Sequence, residues 1–383
     1  MTDFIPLSAP ELAQYVRQAS ATGETLGVIG GGTRGLAPKD VSQIVSTSGL
    51  SGITFYEPSE MVIGARAGTP LTDVEQALAD KGQMLAFEPM DHRPLMATRG
   101  QPTIGAVAAC NISGPRRVSA GAARDHLIGI EMVNGRGEII RSGGRVMKNV
   151  TGLDLVKLNA GAQGSLGILT EVIFKLMPIR EQSLTLCWHG LDEADAIALM
   201  GEAMGTPFEI DAAAHIPDYG EEQGARTLLR LEGFAPSCTY RFKQLARLFS
   251  HHGQPEKIEG EKARALWRMV ANAEPFTSPD FAHVLRVHIA VSKAPRLLEY
   301  ASGWGVRTLI DWSGGLIWLG LEPDTDIAQW RQQIAALGGH ARLVRSSQVP
   351  GPAFASPDEK IAGLMSGIKH AFDPAGIFNP GIL

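Results

Sequence analysis

Two glycine-bearing stretches have the composition of an anion cradle. Val28-Ile-Gly-Gly-Gly-Thr-Arg-Gly35 sets three consecutive glycines, a threonine and an arginine directly after a short apolar run. Consecutive glycines at that point let several backbone N–H groups converge into a nest that holds a pyrophosphate without a helix, and Arg34 adds charge. The candidate contacts are Gly30, Gly31, Gly32, Thr33, Arg34 and Gly35. A second donor set comes from Thr103, Ile104 and Gly105, then Asn111, Ser113 and Gly114, with Arg116 and Arg117 following. Each stretch alone reads equally well as a tight turn or a solvated loop. Together they read as the two halves of a cleft for a large anionic dinucleotide.

The elements around these stretches limit which dinucleotide fold is possible. Ser8-Ala-Pro-Glu11 has the form of a capping box and predicts a helix over 10–20. Leu26 to Ile29 predicts a buried strand running into the glycines, and further strands are expected over 43–46, 52–56 and 61–65. A Rossmann fingerprint needs a helix opening on the last glycine, but Arg34-Gly-Leu-Ala-Pro38 follows instead. Classical NAD binding is therefore disfavoured. A second helix is expected over 70–81 with Thr69 as N-cap, and 87–100, which includes Pro89, is expected to be a loop reaching over a ligand. Ile128 to Arg141 predicts a hairpin around Asn134-Gly135, and Ile168 to Leu176 an ordinary apolar strand.

At 383 residues the chain is long enough for two domains. Hydrophobic residues make up 44% and charged residues 20%, which supports a packed interior and gives no sign of disorder. A net charge of −5 argues against nucleic-acid binding, which needs a concentrated basic surface. The three cysteines, Cys110, Cys187 and Cys238, are far apart in sequence and form neither a disulfide framework nor a cluster motif. No stretch approaches the length of a membrane span, so a cytoplasmic protein is expected, with any membrane association through partner subunits. From Glu181 onward helices and strands alternate as a second α+β domain without a visible repeat. His283 and His288, the pair most like metal ligands, lie five apart on an expected strand and so on opposite faces; no metal site is expected.

Several motifs carry a resemblance. Gly30-Gly-Gly-Thr33, Thr103-Ile-Gly105 with Ser113-Gly114, Gly121 and Asp125, Gly164-Ser-Leu-Gly-Ile-Leu-Thr-Glu171, and the tail Phe372-Asp-Pro-Ala-Gly-Ile-Phe-Asn-Pro-Gly381 resemble the FAD-linked oxidases of the vanillyl-alcohol-oxidase, or PCMH, type. Ser113 to Asp125, Val133 to Glu138 and Val146 to Val150 are similar to the FAD-binding subunits of bacterial glycolate oxidases. The resemblance implies an α+β fold with a PCMH-type FAD-binding domain of two α+β subdomains over 1–180 and an α+β cap over 181–348. A C-terminal segment, 349–383, would return to the FAD domain. It implies FAD contacts at the residues already named and at Pro89, Gly121, Asp125, Gly167 and Ile168. Partners would be a catalytic flavoprotein subunit and an iron–sulfur subunit of a complex oxidising glycolate to glyoxylate. The usual second glycine after Thr-Ile-Gly is Ala106 here, and the family's tyrosine after Lys-Asn-Val-Thr-Gly is Leu153. No histidine lies in the first glycine loop, so the flavin is expected to be non-covalent; His92 and His126 are weaker attachment points. The metal and substrate motif His-x-x-Gly-Asp-Gly-Asn-x-His of D-2-hydroxyacid relatives is absent, and no catalytic residue can be named. Two other roles stay open: a self-sufficient FAD oxidoreductase acting on a small hydroxy acid or sugar, and a non-catalytic assembly subunit.

Overall fold

The computed structural model describes residues 3–34, 40–145, 153–218, 220, 224–346 and 358–382. The chain divides into two compact units. The first takes the chain up to Ser113, then Gly121–Ile179 and the C-terminal segment; the second takes Gly114–Ala120 and the stretch from Arg180 through the last strand of the large sheet. The sequence offers one linear boundary near residue 180, whereas the second unit also claims a seven-residue excursion from the first.

In the first unit, α1 (Ala9–Thr22) precedes β1 (Leu26–Ile29) and β2 (Gln43–Ser46), which pair in parallel. Ser8 caps α1 as expected, its Oγ accepting from the Glu11 N–H at 3.3 Å, but Glu11 Oε2 accepts from Leu7 N–H rather than closing the box on Ser8. Leu12, Val16 and Ala19 bury the inner stripe of α1 against Leu26, Val45, Val133, Ile168, Ile377 and Phe378, forming one small core. β3 (Ile53–Glu57), β4 (Val62–Arg66), α2 (Leu71–Ala79) and α3 (Ile104–Cys110) follow. The N-cap of α2 is Pro70, because Thr69 Oγ1 is engaged with the Gly52 amide at 3.0 Å and the Arg66 carbonyl at 2.7 Å. β5 (Leu127–Val133), β6 (Ile139–Gly143) and β7 (Ile168–Lys175) complete a five-stranded antiparallel sheet in the order β3-β4-β7-β5-β6. Its buried face packs with α2 and α3 around Ile63, Val74, Phe87, Val107, Val172 and Phe174, a second core.

The β5–β6 hairpin forms, though not through a two-residue Asn-Gly turn. Asn134 stands first in the turn, its Oδ1 accepting from the N–H groups of Arg136 and Glu138 at 3.0 Å each. Gly137, at φ 69°, supplies the left-handed residue that returns the chain to β6.

The second unit contains β8 (Gln182–His189), α4 (Glu193–Met204), β9 (Ala212–Ile216), β10 (Arg226–Gly233), α5 (Ala235–Leu248) and β11 (Glu256–Glu259). After α6 (Gly260–Ala271) come β12 (His283–His288), α7 (Ala294–Ser302), β13 (Arg307–Asp311), β14 (Leu316–Leu321), α8 (Ile327–Ala336) and β15 (His340–Ser346). The sheet order is β11-β8-β10-β9-β13-β14-β12-β15. Each half runs strand-helix-strand-strand-helix-strand with its strands in the spatial order 4-1-3-2, so the unit is two ferredoxin-like βαββαβ motifs set edge to edge. This repeat lies in the topology and leaves no trace in the sequence. The halves meet at β9 and β13, where the register pairs His215 with Ile310. His215 is fully buried, its Nδ1 lies 2.9 Å from Thr227 Oγ1, and burial lowers its pKa to about 4, so the imidazole is neutral there.

The last helix, α9 (Glu359–Phe372), leads back into the first unit. Beyond it the tail lies alongside β1: Leu26 N–H donates to Ile377 O at 2.7 Å, and Asn379 N–H to Leu26 O at 2.9 Å. Asp373, 1% exposed, accepts from the N–H groups of Ile377 and Phe378 and from Lys369 Nζ at 2.5 Å. Lys369 also donates to the carbonyls of Ser165 and Phe378.

Candidate functional site

The glycines after β1 line a cleft in the first unit. Its walls are Val28 to Arg34, Ala106 and Cys110 on α3, Gln163, Asn379 and Ile382, around a cavity of about 200 Å³ that opens to solvent. An adjoining recess of about 80 Å³ is lined by Thr47, Ala67, Gly105, Gly164, Gly167 and Leu169. The cleft lies where the two cores of this unit meet. β1 and the tail belong to one core and α3 to the other.

Close backbone approach explains the glycines at the rim. A Cβ built on Gly31 would lie 1.6 Å from the Gln101 carbonyl oxygen, and one on Gly100 would lie 1.7 Å from the Gly31 carbonyl oxygen. The two loops therefore cross backbone to backbone. A Cβ on Gly30 would meet Thr103 Oγ1 at 2.5 Å and the Ala106 methyl at 3.2 Å, so the first loop sits directly over the start of α3. Asn379 holds the opposite rim: its Oδ1 accepts from Val28 N–H at 2.7 Å, and its Nδ2 donates to Gln163 O at 2.7 Å.

Two buried polar atoms belonging to residues of these loops, Thr103 Oγ1 and Arg34 Nε, have no hydrogen-bond partner. Both belong to residues at the glycine-lined cleft, and a hydroxyl and a guanidinium there are groups that a pyrophosphate would satisfy. The donor set fits a pyrophosphate-bearing dinucleotide.

The remaining expected contacts divide clearly. Gly30, Gly31, Gly32, Thr33, Arg34, Gly105 and Gly167 line the cleft or its recess, and Thr103 abuts Gly30. Gly35 lies outside the described residues, as does the Lys148 to Thr151 turn. Ile104 and Ile168 are core residues, 1% and 0% exposed. Pro89 is half-buried and lines neither space. Asn111, Ser113, Gly121 and Asp125 brace the chain where it leaves and re-enters the first unit. Asn111 Oδ1 accepts from Arg124 N–H, Ser113 Oγ from Ala123 N–H, and Asp125 Oδ2 from Ala122 N–H. A Cβ on Gly121 would lie 3.0 Å from that Asp125 oxygen.

Gly114 and Arg116 belong to the second unit. Gly114 O accepts from Trp312 Nε1 at 3.0 Å. Arg116, expected to meet an anion, is instead in a two-pronged ion pair with Glu232, at 2.8 and 3.1 Å, with both side chains largely buried. Asp211 Oδ2 accepts from the Glu232 N–H at 2.6 Å. Burial, then the neighbouring Glu232 charge, raises the Asp211 pKa to about 6. The folded state thus holds the Asp211 proton more tightly than the unfolded chain does. Its contribution is most favourable below about pH 4 and is lost as pH rises toward 6. Asp211→Asn is expected to stabilise the protein by about 1–3 kcal/mol at pH 7.5 and by nothing near pH 4, read from urea midpoints across pH.

The second unit also gathers cations that the sequence does not connect. Arg117 and Arg286 lie over the Trp312 ring, 4.3 and 4.9 Å from its centroid. Arg286 Nη1 and His288 Nε2 are 2.7 Å apart. Burial, followed by Arg286, Arg117, His340 and Arg342, holds His288 down to about 3, so it accepts as a neutral ring. Trp312 and Ser313 have φ of 52° and 58°, a left-handed corner uncommon for residues with side chains. His283 is otherwise engaged, its Nδ1 2.9 Å from Ser346 Oγ and its Nε2 3.2 Å from Pro323 O.

Residues that the sequence did not single out for the cleft are Cys110, Gln163, Asn379 and Ile382. Only the motif-like tail signals any of them in advance.

Residues 3–143 match the model of an FAD binding domain. The chain is 31% identical to glycolate oxidase subunit GlcE of Escherichia coli (strain K12) over 97% of this chain and 95% of that one. It is 32% identical to glycolate oxidase subunit GlcD of Bacillus subtilis over 59% of this chain and 45% of that one. Among solved structures, alkyldihydroxyacetonephosphate synthase superposes with a TM-score of 0.70 at 14% identity, covering 98% of this chain and 75% of that one, which shows the fold. The chain belongs to the PCMH-type family of FAD-linked oxidoreductases, the family of GlcE. FAD is its cofactor, and the residues that match the FAD binding domain lie for the most part in the first unit.

Proposed function

We propose that this chain is the FAD-carrying subunit of a cytoplasmic glycolate oxidase complex, serving electron transfer or supporting a catalytic flavoprotein subunit, with an iron–sulfur subunit as the further partner. The observation that carries this reading is the near end-to-end alignment with GlcE, which extends through the second unit as well as the FAD-binding domain. Among the described residues no helix is long and apolar enough to cross a membrane.

The cofactor site in this reading is the cleft. Backbone N–H groups of Gly30 to Thr33 and the Thr103 hydroxyl hold the pyrophosphate, and Arg34 neutralises it. Ala106 and Gly105 form the floor, and Asn379 keeps Val28 and Gln163 in register. When bound, FAD would supply two-electron chemistry, and the chain would supply its position. The second unit serves as the cap. In this reading the flavin is bound non-covalently, an expectation that rests on the first glycine loop carrying no histidine.

Turnover of a hydroxy acid by the chain itself is a second reading, favoured by the cationic corner of Arg117, Arg286 and Arg342 around the neutral His288, whose charge suits a small carboxylate. One experiment separates them. The purified chain is expected to be yellow, and its flavin is expected to pass into the supernatant on denaturation. Glycolate added anaerobically should bleach that flavin only when the partner subunits are present. Bleaching of the isolated chain would establish the second reading, and a colourless chain that cannot be loaded with FAD would sink both.

A further inference from the structure

Cys187, His189 and Glu256 come together at one edge of the eight-stranded sheet, far in sequence from every cofactor contact. Cys187 and His189 stand two apart on β8, so their side chains leave the same face. β11, the edge strand, brings Glu256 directly opposite Cys187 in the ladder. Cys187 Sγ lies 3.6 Å from His189 Nε2, and His189 Nε2 lies 3.0 Å from Glu256 Oε2. The three potential ligand atoms all fall within 4.8 Å of one another.

These separations suit a tetrahedral centre. Bonds of about 2.3 Å to sulfur and about 2.0 Å to nitrogen, at a tetrahedral angle, put the two atoms roughly 3.5 Å apart, close to the spacing observed. The same construction for nitrogen and oxygen gives about 3.3 Å, which the half-exposed Glu256 reaches with a small rotation. The donor chemistry is selective too. One sulfur, one imidazole and one carboxylate match zinc-class ions and poorly suit calcium or magnesium, which take oxygen.

The burial of Cys187 argues against a free reactive thiol. Its neighbours on either side are exposed: the His189 and Glu256 side chains are 50% and 55% accessible, which leaves an entry path and room for a water as fourth ligand.

We infer that Cys187, His189 and Glu256 form a binding site for one zinc-class divalent cation, which staples edge strand β11 to β8. The site shares no residue with the cofactor cleft, so it stands or falls independently of the function proposed above.

The test is titration of the full chain, stripped with a chelator under reducing conditions, with zinc(II) against a chromophoric competitor. One equivalent is expected to bind, and His189→Ala, an exposed change that leaves the fold in place, is expected to weaken binding by about 100-fold. Cobalt(II) in place of zinc should give a thiolate charge-transfer band that Cys187→Ala abolishes. If Cys187→Ala does not fold, Glu256→Gln replaces it and should weaken zinc binding in the same titration. Absence of a one-equivalent site, or zinc affinity unchanged by His189→Ala, would overturn the assignment.

Discussion

Gly31→Ala is expected to leave the protein without flavin. The added methyl would stand 1.6 Å from the Gln101 carbonyl oxygen, and what it meets is main chain. A flexible side chain could swing aside, whereas the Gln101 carbonyl cannot without displacing the segment that leads into Thr103 and α3. Gly100 returns the constraint, since its own Cβ position is 1.7 Å from the Gly31 oxygen. The two loops can admit the methyl only by separating, and separation moves the N–H groups of Gly30 to Thr33 away from the Thr103 hydroxyl. Misplacing preorganised donors by about 1 Å commonly costs on the order of 100-fold in function, so bound FAD per chain should fall at least tenfold. The comparison is Gly144→Ala, where an added methyl meets nothing within 4 Å. Visible absorbance per chain after gel filtration, with circular dichroism to establish that the fold remains, gives the answer. A Gly31→Ala protein with wild-type flavin content would remove the crossing loops from the cofactor site.

Asp373→Ala should be the most destabilising single change in the tail. The carboxylate is buried, accepts two backbone N–H groups that have no other partner in the turn, and faces Lys369. Removing it strands those donors and leaves a partly buried ammonium with only the Ser165 and Phe378 carbonyls. Breaking a buried pair by deleting one partner typically costs about 3–5 kcal/mol. The turn it supports also carries Asn379, so the loss should reach the cleft: Val28 N–H and Gln163 O would lose their common anchor. A lower thermal midpoint together with faster flavin release is expected. A lower midpoint with unchanged flavin release would confine the tail to a stability role. Unchanged stability would mean the turn is held by something other than this carboxylate.

Much of the cofactor domain was legible because its signals are local. A strand followed by three glycines, the capping residue of α1 and the β5–β6 hairpin each depend on a few adjacent residues, and all stand within a residue or two of where the sequence puts them. What failed to show was whatever depends on distant neighbours. Thr69 is spelled as an N-cap, yet its hydroxyl is engaged by Gly52 and Arg66. Arg116 sits in a run that looks like an anion site, but Glu232, 116 positions later, neutralises it. Asn111, Ser113 and Asp125 turn their oxygens to backbone N–H groups of their own loop, an acceptor role that the sequence does not reveal. The tail motif was visible as a motif, while its role as a neighbour of β1 needed the fold. The second unit conceals its repeat because the same βαββαβ arrangement needs only matching periodicity of apolar residues, which unrelated sequences satisfy equally well.

The way the two halves of the large sheet join has a mechanical corollary. Where β9 meets β13, the register offers His215 against Ile310, while strands inside each half are laced along their whole length. What spans that seam is chiefly the common slab of Leu229, Ile310, Ile317, Met200 and their neighbours, and apolar contact has no preferred direction. A seam held chiefly by apolar side chains is the place where the sheet is expected to part first, before either laced half comes undone. Charging His215, kept neutral at the joint, would put a buried cation into that seam.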